Sequence, residues 1–158
     1  MQRITLAIFA ISIIWAGTAM GVCLKSGAPT DVLKCIEDAM ESENSEAYAS
    51  LLAEDYVAEE YRGKEVVVIA DRAETIASME KFYEVLDVID VSFSDNPLVT
   101  TVETGLWRIE TSWSNKVESD DGKHTVISRE SSFLVVREVQ DPKPHYEIVS
   151  WSNVIEQY

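Results

Sequence analysis

The chain has 158 residues, of which 46% are hydrophobic, and its 28 acidic residues outnumber its 13 basic ones to give a formal charge of -15. This profile fits one globular domain and is too apolar for a disordered chain. The charge leaves no broad basic surface, so the composition argues against binding to nucleic acids or to anionic membranes. Two cysteines are too few for a four-cysteine zinc site, and His124 and His145 have no third ligand at metal-binding spacing, so we expect no metal and no cofactor.

Residues 1–19 have the pattern of a secretory signal peptide. Arg3 precedes an almost wholly apolar run over residues 4–16, and Gly17-Thr18-Ala19 places small residues at the positions that signal peptidase reads. Ala19-Met20-Gly21 is an alternative cleavage site, which would end the signal peptide at residue 21. We therefore predict an exported protein, periplasmic or secreted, that has no membrane contact after cleavage.

Two alternatives concern the same segment. The run from Ile4 to Leu24 carries no charge and is long enough to cross a bilayer, so the segment could instead stay as an N-terminal membrane anchor. Lipidation of Cys23 is the other alternative, although Met20-Gly21-Val22 lacks the small residues typical before a lipidated cysteine. After the signal peptide, we assign residues 20–29 to an N-terminal arm and residues 30–158 to the domain.

Export makes a disulfide permissible between the two cysteines, Cys23 and Cys35. Cys23 lies in the arm and Cys35 in the first predicted helix, so a bridge would pin the arm onto that helix. The alternative is a buried Cys35 with a free Cys23. We expect the bridge.

Apolar spacing predicts three helices in the domain. Thr30 can cap the first, and either Asn44 or Ser45 can cap the second. Asp71 and Glu74 have the spacing of a capping box at the start of the third. The predicted helices cover residues 30–41, 45–54 and 72–87.

Two short strands with a turn at Gly63 lie between the second and third helices, and four longer strands follow the third. Turn sequences rich in Asp, Asn, Gly and Pro separate the four longer strands. The predicted strands are Tyr56–Tyr61, Glu65–Ala70, Val88–Ser94, Leu98–Asn115, His124–Val139 and Tyr146–Ile155. Three helices followed by an antiparallel sheet define an α+β domain.

The passage Leu51-Leu52-Ala53-Glu54-Asp55-Tyr56-Val57, where a helix runs into a strand, and the ending Ile148-Val149-Ser150-Trp151 strengthen this assignment. With the order of elements over residues 30–155, they resemble the nuclear transport factor 2-like (NTF2-like) superfamily, which includes SnoaL-like polyketide cyclases and ketosteroid isomerase. The resemblance implies a cone-shaped fold, in which three N-terminal helices pack on a curved, mostly antiparallel sheet around a pocket. It also implies that the outer face of the sheet often forms dimers.

The isomerase-like enzymes of that superfamily use a carboxylate just after the helix-two passage as a base, with an acid on helix one and another on a late strand. The resemblance places Glu60 at the base position. The helix-one position falls near Ile36, which has no proton to give, and the late-strand position falls near Ser131 or Ser132, which are not buried acids. We therefore do not expect the steroid-isomerase reaction, and another chemistry with Glu60 as general base stays open.

Candidate pocket residues come from strand parity and from size. Tyr56, Ala58 and Glu60 lie two residues apart, so they share one face of the first strand. Arg129 shares a face with Ser131, in a row that we predict to belong to the core. Arg129 would pair with Glu60 or bind an anionic ligand, with an ordinary ion pair as the alternative. Trp107, Trp113 and Trp151 are large enough to line a pocket, although strand aromatics are also common in cores. The predicted pocket residues are Tyr56, Trp107, Arg129, Ser131 and Trp151.

The strand His124–Val139 is apolar on both rows near its middle, although an antiparallel sheet with one solvated face should alternate. We assign one row to the core and the other to the outer face of the sheet. The predicted core row has Ile127, Phe133 and Val135, and the predicted outer row has Val126, Leu134 and Val136. An exposed apolar row favours a homodimer through the outer face.

These features predict an exported domain that binds a small apolar ligand or a partner protein, without robust catalysis. One alternative is a SnoaL-like lyase or isomerase with Glu60 as general base. The other is a structural dimerisation module whose pocket is filled.

Overall fold

Three helices and seven strands make up the part of the chain that the computed structural model describes, residues 27–62, 65–119, 121–140 and 143–155. The helices are α1 (Asp31–Glu41), α2 (Ser45–Leu51) and α3 (Arg72–Tyr83). The strands are β1 (Leu52–Arg62), β2 (Glu65–Asp71), β3 (Leu86–Phe93), β4 (Leu98–Glu103), β5 (Leu106–Ser119), β6 (Thr125–Val139) and β7 (His145–Ile155). The predicted signal peptide lies outside the described residues, so export stays a prediction.

The described strands form one open, mostly antiparallel sheet in the order β2-β1-β7-β6-β5-β3. β1 and β7 run parallel, and each of the other paired strands is antiparallel. β4 and β3 share one edge of β5: β4 pairs with residues 106–110 and β3 with residues 113–119. The α+β class and the antiparallel sheet are confirmed.

The hydrophobic core lies between the helices and one face of the sheet. The apolar stripe predicted for α1 is buried, and it comprises Val32, Leu33, Ile36, Ala39 and Met40. Facing it, Ile109, Leu134 and Ile148 are fully buried on three neighbouring strands. Burying one such side chain stabilises the fold by roughly 1.5–3 kcal/mol relative to leaving it in water.

Two of the predicted helix caps are confirmed. At the start of α3, the backbone N–H of Glu74 donates to Asp71 Oδ1 at 2.9 Å, and the backbone N–H of Asp71 donates to Glu74 Oε2 at 3.0 Å. At the start of α2, the Asn44 side chain accepts from the backbone N–H of Ala47 at 2.9 Å. Thr30 makes no side-chain capping bond to the described residues of α1, so that predicted cap is wrong.

α2 is shorter than predicted, because the chain changes from helix to strand between Leu51 and Leu52. Arg72 marks this point: its Nε donates to the carbonyl of Leu52 at 3.2 Å, and its Nη2 donates to the carbonyl of Ala49 at 2.9 Å. The guanidinium thus adds hydrogen bonds to carbonyls at the end of the helix, where that of Ala49 also accepts from the backbone N–H of Leu52. Tyr56, where the first strand was predicted to begin, lies well inside β1.

The single strand predicted over Leu98–Asn115 is wrong, because a tight turn at Thr104-Gly105 divides it into β4 and β5. Gly105 has a φ of 80°, a backbone conformation that costs little only for glycine. The two strands pair with each other across the turn as a hairpin.

The predicted faces of β6 are reversed. Leu134 and Val136, which we assigned to the outer row, are fully buried in the core. The opposite row carries Ile127, which is 64% exposed, and the half-buried Phe133 and Val135. Since both rows are apolar, their composition alone does not say which one the helices cover.

Three carboxylates beside α1 accept hydrogen bonds from the backbone of β3. Glu37 Oε1 accepts from the N–H of Phe93 at 3.0 Å, and Glu41 Oε1 accepts from that of Val91 at 3.1 Å. Glu43 Oε1, just after the helix, accepts from the N–H of Val88 at 2.9 Å. The register of β3 shifts between Val88 and Asp90, which separates the bonded N–H groups of Val88 and Val91 by three residues. We call these three acids the carboxylate row.

The disulfide stays a prediction, because Cys23 lies outside the described residues. Cys35 is half-buried on α1 against the core. We expect no titratable thiol in the denatured, unreduced protein, and Cys23→Ser should lower the free energy of unfolding by roughly 3 kcal/mol through the lost chain constraint. Thiol titration and urea unfolding measure the two effects, and two titratable thiols would contradict the bridge.

Candidate functional site

A cavity of about 160 Å³ lies between the three helices and the inner face of the sheet. Its wall takes residues from every helix and from four strands: Met40, Tyr48, Tyr56, Ala58, Glu59, Ile69, Met79, Trp113, Trp151 and Asn153. Ile69 is 52% exposed, at the point where the β1–β2 register shifts, so the cavity reaches solvent beside β2. The lining is mostly apolar and aromatic, which is typical of small-molecule sites.

The aromatic wall of the cavity consists of Trp113 and Trp151, and Phe93 packs against both outside the lining. Trp113 and Trp151 meet edge to face with ring centroids 5.5 Å apart, and Phe93 lies 6.2 Å from Trp113 and 6.0 Å from Trp151. Phe93 is held at its backbone by Glu37 of the carboxylate row. The position of both indoles therefore depends on the packing of α1 against β3.

Two buried tyrosines, Tyr48 and Tyr56, line the cavity from α2 and β1. Burial raises the pKa of Tyr56 to about 12, with a smaller contribution from the nearby charge of Glu59. Burial also raises the pKa of Tyr48 well above its usual value, and its neighbours Tyr56 and Tyr83 add to this shift. Both phenols are therefore protonated at neutral pH and keep a hydrogen to donate.

The indole N–H groups of Trp113 and Trp151 lie inside the packed fold, with essentially no accessible surface. Trp113 Nε1 and Trp151 Nε1 are both buried, and neither has an acceptor among the residues that the structure describes. Asn153 adds an amide: its Oδ1 accepts from the hydroxyl of the buried Ser132 at 2.7 Å, which leaves the amide N–H groups as donors.

Three carboxylates lie near the cavity. Glu59 borders it, but its Oε2 accepts from the hydroxyl of Ser152 at 2.8 Å, and Ser152 pairs with Phe133 on the outer face of the sheet. Glu60 is outside the lining set, and it pairs with Asn153 in the β1–β7 register. Glu130 pairs with Trp113 in the β5–β6 register, and burial raises the pKa of its carboxyl. The general-base role of Glu60 stays a prediction.

Two of the predicted pocket residues line the cavity. These are Tyr56 and Trp151. Trp107 lies elsewhere on the inner face, packed edge to face on Tyr146 with ring centroids 5.8 Å apart. Trp113, which the sequence analysis also considered, does line the cavity.

Arg129 and Ser131 do not join this site. Both are exposed, on the row of β6 opposite the buried Leu134. Ser131 instead borders an open depression that also includes Ser112 and Phe133. Their placement in the pocket followed from the reversed faces of β6.

Sequence reasoning missed Tyr48 and Asn153. Tyr48 belongs to the apolar stripe of α2, so its position was visible although its role was not. Asn153 lies on the last strand, two residues after Trp151, and strand parity places both on one face. That spacing was the signal that could have identified it.

Among the described residues, no group of three or more His, Cys, Asp or Glu side chains is placed to hold a metal ion. Over the same residues, none of the helices has the length and apolarity needed to span a membrane.

Several solved structures share this fold. A conserved protein from Planctomyces limnophilus has a TM-score of 0.63 at 15% identity, over 79% of this chain and 91% of that chain. An NTF2-like protein of unknown function in nutrient uptake from Rhodospirillum rubrum has a TM-score of 0.60 at 13% identity, over 76% and 91%. A ketosteroid isomerase-like protein from Erwinia carotovora atroseptica has a TM-score of 0.57 at 10% identity, over 76% and 88%.

These likenesses show that the chain has the NTF2-like fold, as the order of its elements predicted. No protein-family model matches the sequence. No curated protein sequence matches it either. Because the identities are low, the likeness concerns the fold, and the function has to be argued from the cavity itself.

Proposed function

We propose that this protein is an NTF2-like domain that binds one small, mostly apolar molecule in the cavity between its helices and sheet. The observation that carries the proposal is the open volume of about 160 Å³ beside Trp113 and Trp151. A filled interior would leave no such space, so the cavity favours ligand binding over the purely structural alternative. An engineered apolar cavity of about 150 Å³ holds a benzene molecule, which sets the scale.

The test uses the methyl groups of Met40 and Met79, which line the cavity from α1 and α3. With ¹³C-labelled methionine, adding ethylbenzene or acetophenone should shift both methyl signals in a saturable way. Ala58→Leu, which fills the cavity from β1, should remove the shifts while the far-ultraviolet circular dichroism stays unchanged. If neither compound shifts either methyl signal in the wild-type protein, the proposed function is wrong.

A second, separate proposal is that the outer face of the sheet forms a homodimer. The half-buried Phe133 lies on this face, where the guanidinium of Arg108 is 4.1 Å from its ring centroid and Tyr61 contacts its edge. An aromatic residue with a stacked arginine is typical of protein interfaces.

We expect a dimer at micromolar concentration in sedimentation equilibrium, and a monomer for Phe133→Glu because the charge would be buried in the interface. Lys81→Glu, which adds the same charge at an exposed position of α3 on the other side of the sheet, serves as the control and should remain dimeric. A wild-type protein that sediments as a monomer would contradict this proposal without affecting the proposed ligand site.

A further inference from the structure

Ile69 differs from the other residues that line the cavity. It is 52% exposed, whereas the other described members of the lining are buried or half-buried. Of the described residues of β2, Ile69 alone belongs to the lining. A side chain that borders both the cavity and the solvent lies at the mouth of the cavity.

The β-bulge of β2 places Ile69 at this mouth. In the β1–β2 ladder, Ala58 pairs with Ala70 and Glu59 pairs with Val68, so Ile69 is an extra residue without a partner in the described register. An extra residue of this kind re-aims a side chain and leaves its own backbone groups outside the ladder. The bulge thus supplies a lining side chain that Val68 and Ala70, the paired residues on either side, do not supply.

The mouth lies in a weakly held part of the described fold. β2 is the end strand of the described sheet and pairs with β1 alone. α3 follows β2 directly and contributes Met79 to the lining, yet it buries none of its described residues, whereas α1 buries five. Elements with few buried contacts open locally at a low cost in free energy. A ligand therefore passes most easily between β2 and α3.

The side chain of Ile69 is stiff enough to close this passage. Isoleucine is branched at Cβ, which restricts rotation about its χ1 bond. An unbranched exposed side chain would swing aside within nanoseconds, whereas Ile69 clears the mouth mainly when the backbone of β2 moves. Backbone openings that admit a ligand take microseconds to milliseconds, so the opening step can limit the rate of exchange.

We propose that Ile69 is the gate of the cavity and sets the rates at which a ligand enters and leaves. This inference rests on the proposed ligand-binding function and adds the residue that controls access to that site. A gate changes the barrier that entry and exit share, so it alters both rate constants in proportion and leaves the dissociation constant nearly unchanged. A residue that only contacts the ligand alters mainly the dissociation rate constant.

Ile69→Ala tests the gate, with ethylbenzene and acetophenone as probes. Line-shape analysis of the ¹³C-methyl signal of Met40 during each titration gives the dissociation constant and both rate constants. We expect the two rate constants to rise together by about tenfold, while the dissociation constant stays within about threefold of the wild-type value. The matched control is Val68→Ala, because Val68 is 59% exposed, adjoins Ile69 on β2 and lies outside the lining. It should leave both rate constants unchanged.

A larger side chain distinguishes a gate from a weakened strand. Ile69→Ala could also speed up exchange by loosening β2, and that effect would not depend on covering the mouth. Ile69→Trp keeps a residue that is common in strands and enlarges the side chain over the mouth. We expect it to slow both rate constants by about tenfold. Far-ultraviolet circular dichroism should show the same fold for both variants.

The outcomes separate the gate from the ligand site. Wild-type rates in both Ile69 variants, or faster exchange in both, would overturn the gate while leaving ligand binding in place. A weaker affinity of Ile69→Ala with an unchanged association rate constant would also overturn it, because Ile69 would then be a contact residue only. If neither probe shifted a methyl signal of the wild-type protein, the proposed function and this inference would fail together.

Discussion

Leu134→Glu is expected to lower the free energy of unfolding by more than about 4 kcal/mol, enough to unfold many domains of this size. Leu134 is fully buried, and it faces Ile109 on β5 and Trp151 on β7 in the sheet register. A carboxylate at this position would lose its water and meet apolar side chains, and the site offers it no cation. Urea unfolding followed by circular dichroism measures the effect.

The matched control is Ile127→Glu on the same strand. Ile127 is 64% exposed, so this change should alter the free energy of unfolding by less than about 0.5 kcal/mol. If the soluble Leu134→Glu variant has too little folded protein to measure, Leu134→Ala gives a milder loss of about 2–5 kcal/mol. Equal effects of the glutamates at positions 127 and 134 would contradict the assignment of the faces of β6.

Arg72→Ala should lower the free energy of unfolding by about 3 kcal/mol, because two charge-assisted hydrogen bonds are lost. The half-buried guanidinium bonds the carbonyls of Ala49 and Leu52, where α2 ends and β1 begins. The variant should also loosen the wall that carries Tyr48 and Tyr56. Urea unfolding measures the loss, and faster amide exchange in α2 locates it.

Arg72→Lys tests whether the charge of Arg72 or its two directed hydrogen bonds account for the stability. Lysine keeps the charge but lacks the planar fork that reaches both carbonyls, so we expect it to recover only part of the stability. Arg129→Ala, which removes an exposed arginine, should have little effect. If lysine at position 72 restored the full stability, charge rather than the two directed bonds would explain the role of Arg72.

The helices were largely predictable because their signals are local. The stripe of α1 and the capping box of Asp71 and Glu74 depend on residues within one or two turns. The end of α2 was not predictable, because it involves Arg72, twenty residues beyond Leu52 in the chain. Long-range bonds of this kind have no local pattern.

The strands were predictable in position but not in orientation. In β6 both rows are apolar, so which of Leu134 and Val135 faces the helices depends on the register with β5 and β7. The division between β4 and β5 did have a local signal, the glycine of Thr104-Gly105, which the strong alternation on either side outweighed. One reversed strand then misplaced Arg129 and Ser131.

The candidate site was partly predictable for the same reasons. Tyr56 and Trp151 were identified because they are large and lie on strands whose parity was read correctly. Tyr48 and Asn153 were missed because a cavity forms where elements fail to fill space, and this depends on how the helices sit on the sheet. The unpartnered indole N–H groups are a property of the packed fold and have no counterpart in the sequence.

The carboxylate row has a consequence for the association of this protein with other chains. The edge of a sheet usually offers unpaired N–H groups, on which a foreign strand can add and start a growing fibril. In β3 the N–H groups of Val88, Val91 and Phe93 are already bonded to glutamates. A strand arriving there would have to displace these bonds, and its own carbonyl oxygens would approach negative charge.

Strand addition is therefore directed away from β3. The opposite edge, β2, carries the exposed Val66, Val68 and Ile69, and β4 carries the exposed Leu98 and Val102, so such association would begin at one of these two strands. The carboxylate row occupies the N–H groups of β3. It thereby protects the strand that carries Phe93, beside the aromatic wall, from joining an aggregate.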